Sequence, residues 1–177
     1  DKEISQVSGT WAMEVHNGHP DSNNLGGGGK PSTESMWDRV LSTGTRLFGI
    51  ATDDSHHYTG EFSFDRSNPG RGWVVVKSDA LDQDSLMKAM SAGEFYASTG
   101  VVLGELSISP SELVIELDPR TDEKLTTVFY GKHGRELWRS EGPVARYKPS
   151  KLDGYVRSTV ESSRGTRAWT QPIFLEN

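Results

Sequence analysis

The spacing of apolar runs changes near residue 95, and this change constrains the fold more than any other feature of the sequence. After it, short apolar runs recur at regular intervals between Pro, Gly, Asp and Ser, at 95–99, 103–109, 113–117, 125–130, 136–140, 155–161 and 168–174. Such a series predicts an antiparallel β-sandwich. Before it, strand and helix patterns alternate, which predicts α/β structure. We therefore predict two domains, residues 1–94 and 95–177.

Two apolar stretches in the first half end in polar clusters. Residues 11–15 run into His16, Asn17, Gly18 and His19, and residues 46–52 run into the sequence Asp-Asp-Ser-His-His-Tyr at 53–58. A short helix is predicted between them over 33–43, after a mobile loop that contains the four glycines 26–29. A buried strand that ends in acids and histidines is typical of an α/β or barrel active site.

Composition excludes several classes of protein. The chain has 177 residues, no cysteine and 25 acidic against 19 basic side chains. Without cysteine there is no disulfide scaffold, thiolate zinc finger or iron–sulfur cluster, so any metal site must use His and carboxylates. The negative charge argues against a nucleic-acid partner, and the short apolar runs argue against a membrane partner. We expect a soluble protein, either cytoplasmic or exported.

The triplet Asp54-Ser55-His56 is the sharpest candidate site. A carboxylate and an imidazole two positions apart at a strand end project to the same side and are able to share a divalent ion. The same triplet is also typical of a turn that Asp caps. Asp53 and His57 raise the number of titratable side chains to four in five positions. We predict Asp54 and His56 as metal ligands, with Asp53 and His57 as possible metal or substrate contacts.

A second group of candidates follows the first strand. His16 and His19 lie in a segment whose Gly18 and Pro20 predict a loop rather than a helix. Two solvated loop histidines are one reading of them, and contacts with a metal or substrate are the other. Glu14 and Asn17 face the same pocket in that second reading. As an alternative, Glu14 is an ordinary hydrogen-bonded strand residue.

Ordered blocks of sequence through most of residues 11–174 carry a family resemblance. The blocks of the first half are Met-Glu-Val-His-Asn-Gly-His at 13–19, Met-Trp-Asp-Arg-Val-Leu at 36–41 with Gly44, and Gly-Ile-Ala-Thr-Asp-Asp-Ser-His-His at 49–57. Those of the second half are 72–77, 86–93, 95–100, 155–157 and 168–174. The chain resembles PHP (polymerase and histidinol phosphatase) metallohydrolases, in particular the branch that includes the carbaryl hydrolases.

The resemblance implies a fold class of α/β plus all-β: the C-terminal part of a distorted (β/α)7 barrel, followed by a small antiparallel β-sandwich. The family's D-x-H motif falls on Asp54 and His56, which implies that they hold part of a cluster of up to three Zn, Mn or Fe ions. The family's earlier histidine and acidic motifs have no counterpart in these residues. The chain therefore resembles a C-terminal fragment whose partner is the missing N-terminal part of its own barrel.

The implied activity is metal-dependent hydrolysis of a small-molecule phosphoester, or of an ester, by the parent protein. The ions would activate water and polarise the scissile group. We expect the 177-residue chain alone to be inactive, because two ligands do not build a multi-metal site. The alternative is a non-catalytic binding or structural module with a vestigial metal site.

Overall fold

The computed structural model describes residues 4, 7–118 and 122–175. In chain order its elements are β1 (Ala12–Asn17), α1 (Thr33–Leu41), β2 (Phe48–Thr52), β3 (Trp73–Val76), α2 (Gln83–Ala92), β4 (Phe95–Ser98), β5 (Leu103–Ile108), β6 (Leu113–Leu117), β7 (Leu125–Gly131), β8 (Arg135–Glu141), β9 (Val144–Tyr147), β10 (Tyr155–Ser162), β11 (Arg167–Thr170) and β12 (Ile173–Phe174), with 3₁₀ turns at Lys132–Gly134 and Lys151–Asp153.

The first part of the chain is a single β–α–β unit, because β1 and β2 pair in parallel and α1 connects them. The hydroxyl oxygen of Ser32 caps α1 by accepting a hydrogen bond from the backbone N–H of Ser35 at 3.1 Å. The apolar stripe of α1 packs onto the strand pair, and the indole N–H of Trp37 donates to the carbonyl oxygen of Leu47 at 2.8 Å. The helix and its cap therefore fix where the two strands end.

The remaining strands form two antiparallel sheets that pack face to face. The larger sheet has the order β3-β4-β11-β10-β7-β8, with β12 also paired to β10, and the smaller has the order β5-β6-β9. Their shared core contains Leu113 and Ile115 from the small sheet and Phe129, Val156 and Val160 from the large one. Burial alternates along β6, as one inner face of a sandwich requires, whereas β10 is buried at nearly every position because the β–α–β unit covers its other face.

The β–α–β unit packs against the sandwich through a second core. Val15, Trp37 and Leu47 meet Tyr155 and Trp169 of the large sheet there. On the same side, the side-chain amide of Gln171 accepts from the backbone N–H of Gly49 and donates to its carbonyl oxygen, both at 2.8 Å. Gln171 thereby satisfies part of the free edge of β2, and this edge is held in a fixed place relative to the sandwich.

The predicted barrel portion is wrong. A part of a (β/α)7 barrel would show several parallel strands, each followed by a helix. Within the residues that the structure describes, only β1 and β2 pair in parallel and only two α-helices have described bounds. The sequence misled because strand 73–76 followed by helix 83–92 matches the alternation of a barrel, whereas β3 pairs antiparallel with β4 in the sandwich. The fold is a β-sandwich type with a β–α–β unit attached to it.

The predicted boundary between residues 94 and 95 stays a prediction, although strands on both sides of it pair in one sheet.

The glycine run 26–29 lies in a tight turn that is closed by two backbone hydrogen bonds between Gly27 and Lys30, at 2.9 and 3.1 Å. All four glycines have positive φ, which residues with a Cβ rarely adopt.

None of the helices in the described parts of the chain is long and apolar enough to cross a membrane.

Candidate functional site

The carboxyl ends of β1 and β2 lie side by side and bring the candidate residues together. The parallel register places Asn17 opposite Thr52, so the segments that follow the two strands leave from the same edge. The backbone N–H of Gly18 extends this pairing by donating to the carbonyl oxygen of Thr52 at 2.7 Å. A Cβ on Gly18 would lie 3.1 Å from that oxygen and 2.7 Å from the Cβ of Arg71, so this close approach requires glycine.

Asp54 and His56 form the predicted carboxylate–imidazole pair at this edge. Asp54 has a φ of +48°, and its carbonyl oxygen lies 2.9 Å from Nδ1 of His56. A carbonyl oxygen only accepts, so Nδ1 carries the proton and Nε2 keeps its lone pair. Oδ1 of Asp54 lies 3.9 Å from the same Nδ1, and the two side chains are 44% and 62% exposed. The pair is therefore open to solvent.

A β-bulge in β1 turns Glu14 and Asn17 toward Asp54. The register shifts between Glu14 and His16, so Glu14 lies opposite Ile50 and Asn17 opposite Thr52, on one face of the strand pair. The side-chain amide of Asn17 donates to Oε2 of Glu14 at 3.0 Å and to Oδ2 of Asp54 at 3.2 Å. Thr52 donates its hydroxyl to Oε1 of Glu14 at 2.8 Å. These polar side chains form one hydrogen-bonded row that ends at the Asp54–His56 pair.

His19 lies beside His56. The two rings meet edge to face with their centroids 5.7 Å apart. Nδ1 of His19 accepts from the backbone N–H of Asp21 at 3.2 Å, which leaves the neutral ring with its proton on Nε2. The backbone N–H of His19 donates to Oδ1 of Asn17 at 2.9 Å. His19 therefore belongs to this edge, but as hydrogen-bonded here its Nε2 is a donor rather than a metal ligand.

His16 points away from this row. It lies opposite Ala51, and its ring stacks on Trp169 with a centroid distance of 5.8 Å. Burial lowers the pKa of His16 below its ordinary value of 6.5, and the positive charge of Arg167 lowers it further. The structure therefore places His16 in the packing between the strand pair and the sandwich.

Asp53 and His57 also have structural partners. Oδ1 of Asp53 accepts from the backbone N–H groups of Arg71 at 2.5 Å and of Gly72 at 2.9 Å. Burial alone would raise the pKa of Asp53, but these backbone donors outweigh it and hold that pKa below its ordinary value. Nδ1 of His57 lies 3.2 Å from the hydroxyl of Ser67, which is buried. Both residues close the loop between β2 and β3.

The donors that the structure describes at this edge are fewer than a divalent ion needs. A hydrolytic ion is held by about three protein ligands plus water. Among the residues that the structure describes, no group of three or more His, Asp or Glu side chains is arranged to hold a metal ion. Asp54 and Nε2 of His56 fit as two ligands, and the hydrogen bond at Nδ1 is the usual support of a metal-binding histidine. Among the described residues, this pair therefore offers fewer ligands than a hydrolytic ion needs.

A second charged cluster escaped the sequence analysis. Arg157, 1% exposed, makes two 2.7 Å hydrogen bonds to the carboxylate of Asp38 and one of 3.2 Å to Glu34. Tyr155 donates its hydroxyl to Asp38 at 2.7 Å. The interacting residues are more than a hundred positions apart, so no local motif could pair them. The available signal was Asp38 inside the apolar stripe of α1 and Arg157 directly after Tyr155 and Val156.

The chain was also compared with known proteins. No family model matches it, and no sufficiently similar sequence is found among curated proteins.

Proposed function

We propose that this chain contributes Asp54 and His56 to the divalent metal centre of a hydrolase, most simply a phosphoesterase, and that the other ligands come from polypeptide outside the described residues. The observation that carries this proposal is the arrangement of His56. Its Nδ1 faces the carbonyl oxygen of Asp54 at 2.9 Å, so Nε2 is the nitrogen left with a lone pair, on an exposed ring whose Nδ1 lies 3.9 Å from the Asp54 carboxylate.

The position of the pair supports the same function. It lies at the carboxyl ends of parallel strands, where ligands bind in α/β proteins. Helix α1 and the core beneath the strands are rigid supports, and the loop after His56 is closed by Asp53 at its base. Asp54 has φ in the left-handed region, which occurs often at functional sites.

The chemistry follows from the donor types. One imidazole nitrogen and one carboxylate suit Zn, Mn or Fe, and a bound ion would supply an activated water and polarise the scissile bond. Asp54 would bind the ion through its carboxylate, while the N–H at Nδ1 of His56 donates to the backbone carbonyl oxygen of Asp54 and so fixes the ring. The half-exposed row of Glu14 and Asn17 would line the adjacent surface.

The test compares wild type with Asp54→Asn and His56→Ala. With two ligands, the 177-residue chain should bind Mn²⁺ weakly and hydrolyse p-nitrophenyl phosphate no faster than Mn²⁺ alone, and both substitutions should abolish the binding. The gene product that carries these residues should show chelator-sensitive phosphoesterase activity, which both substitutions remove. Mn²⁺ binding that survives both substitutions, or undiminished activity, would contradict the proposal.

A non-catalytic module is the second candidate, and one observation favours it. The row around Asn17 satisfies its own hydrogen bonds without an ion, and the described residues offer no third ligand. In that case the Asp54–His56 pair is vestigial and the sandwich is the part that binds a partner. The measurement above separates the two candidates, because a vestigial pair does not localise a metal ion.

A further inference from the structure

We infer that Asn17 is the positioning residue of this edge: its side chain holds the carboxylate of Asp54 and the loop that carries His19 in one arrangement. The inference rests on the proposed function in that it treats Asp54 and His56 as the ligand pair. It adds a residue that makes no metal contact itself and acts through Asp54 and His19.

The first support is that the side-chain amide of Asn17 uses its full hydrogen-bonding capacity. An asparagine side chain has two N–H donors and one oxygen with two lone pairs. Nδ2 donates to Glu14 at 3.0 Å and to Asp54 at 3.2 Å. Oδ1 accepts from the backbone N–H of His19 and from the hydroxyl of Ser22, both at 2.9 Å. An aspartate at position 17 could not make the same four hydrogen bonds, because its carboxylate has no N–H donors. A shorter side chain would not reach all four partners.

The second support is the pair of carboxylates that the amide separates. Nδ2 of Asn17 lies 3.0 Å from Oε2 of Glu14 and 3.2 Å from Oδ2 of Asp54, so the amide stands between the two side chains. Because Oδ2 of Asp54 is held by Asn17, Oδ1 is the oxygen that remains near the ring of His56, at 3.9 Å. Asn17 therefore sets the rotation of the carboxylate.

The third support is the backbone of Asn17, which is clamped independently of its side chain. Its N–H donates to Oδ1 of Asn24 at 2.9 Å, and its carbonyl oxygen accepts from Nδ2 of Asn24 at 2.8 Å. The start and the end of the loop 18–24 are therefore both tied to the last residue of β1. This loop delivers His19 to within 5.7 Å of His56, measured between ring centroids. Because Asn24 keeps the backbone in place, removal of the Asn17 side chain should leave the strand end folded.

The experiment compares Asn17→Ala with Asn23→Ala, the same substitution at an exposed asparagine of the same loop. Mn²⁺ is titrated into the full 177-residue chain, and the broadening of the histidine ring signals is followed by NMR. In wild type and in Asn23→Ala, we expect the signals of His56 and His19 to broaden together, while His133 stays sharp. In Asn17→Ala, we expect the affinity for Mn²⁺ to fall tenfold or more and the broadening of His19 to separate from that of His56. Equal affinity and joint broadening in Asn17→Ala would overturn the inference.

A metal-free measurement keeps the inference separate from the proposed function. If wild type shows no broadening at His56, the metal proposal fails, and the exchange rate of the His19 backbone amide decides about Asn17. Asn17→Ala should raise that rate at least threefold. Asn17→Asp should not, because a carboxylate keeps the acceptor for His19. An unchanged rate in Asn17→Ala would overturn the inference, whatever the metal result.

Discussion

The molecule has two clusters of charged side chains, and they differ in how completely their hydrogen bonds are used. At the buried cluster of Arg157, Asp38 and Glu34, guanidinium N–H groups meet carboxylate oxygens, and the guanidinium lies 4.9 Å from the ring of Trp37 and 4.7 Å from that of Tyr130. At the edge cluster, Asp54 and His56 are exposed, and the ring nitrogen Nε2 of His56 keeps its lone pair. The first cluster joins the β–α–β unit to the sandwich, whereas the second lies open to solvent at the end of the β1–β2 pair.

The difference teaches that a concentration of charge does not by itself indicate a functional site. Removing one member of a buried, saturated pair leaves an uncompensated charge, so such a cluster contributes to the stability of one packed arrangement. An exposed pair contributes little to stability, and its free donor atoms are available for binding. Substitutions at the buried cluster should therefore lower the stability of the fold, whereas substitutions at the exposed pair should change binding and leave the stability nearly unchanged.

The largest effect is expected from Arg157→Met, which leaves Asp38 buried without its partner. We expect a loss of about 3–5 kcal/mol in the free energy of unfolding, measured by urea denaturation. Arg139→Met is the matched control, because Arg139 makes a bidentate pair with Glu136 that is about half exposed. The control should lose only a small part of that amount. Similar losses in both variants would break the distinction between buried and exposed pairs.

A smaller effect is expected from Asp53→Ala, which deletes the acceptor for two backbone N–H groups at the base of the β2–β3 loop. We expect a loss of about 1–2 kcal/mol in unfolding free energy at pH 7. Because the folded state lowers the pKa of Asp53, its contribution is present above the ordinary pKa of 3.8 and is lost as the pH falls through the lowered pKa. Asp54→Asn serves as the neighbouring control, because Asn tolerates the positive φ of this position, and an equal loss there would contradict the structural role of Asp53.

His16 should give a pH dependence of stability. Its pKa is lowered in the folded state, so the unfolded chain binds the proton more readily. The stability therefore falls as the pH drops from the ordinary pKa of 6.5 toward the lowered value, and it is level above that range. His16→Gln should remove this slope, whereas His133→Gln, which changes an exposed turn, should keep it. Unfolding curves between pH 5 and 8, on the scale over which His titrates, check the slope, and the same slope in His16→Gln would refute the assignment.

The smallest effect on stability is expected where function is proposed. Asp54→Asn and His56→Gln should each change the free energy of unfolding by less than about 0.5 kcal/mol, because both side chains are exposed. Both should nevertheless abolish Mn²⁺ binding by the chain. A large loss of stability in either variant would place the edge cluster in the same class as the buried one.

Local patterns predicted the elements well but not their assembly. The predicted helix over 33–43 is α1 at Thr33–Leu41, and most predicted runs of the second half match strands. Strand β9 (Val144–Tyr147) was missed, because it is only four residues long and has no run of consecutive β-branched or aromatic residues. The barrel prediction failed because the partner of a strand is a long-range property: nothing in residues 73–76 indicates that their neighbour is antiparallel.

The candidate site was predicted in part. The Asp54–His56 pair followed from its place at the end of a strand. The sequence did not predict that Glu14 and Asn17 lie on one face of β1 and His16 on the other. That arrangement depends on a β-bulge, which reverses the expected alternation of side chains. Asp53 and His57 were equal candidates in the sequence, and only the loop that returns at Ser67 and Gly72 reveals that both have backbone or hydroxyl partners.

The central claim is that the open edge, and not the buried cluster, is the place where a ligand binds. Anomalous diffraction from crystals of the chain soaked in Mn²⁺ tests it most directly. The account predicts a single peak within about 2.0–2.4 Å of Nε2 of His56 and of a carboxylate oxygen of Asp54, and no such peak in crystals of His56→Gln. A peak at another group of residues, or a peak that persists in His56→Gln, would contradict it.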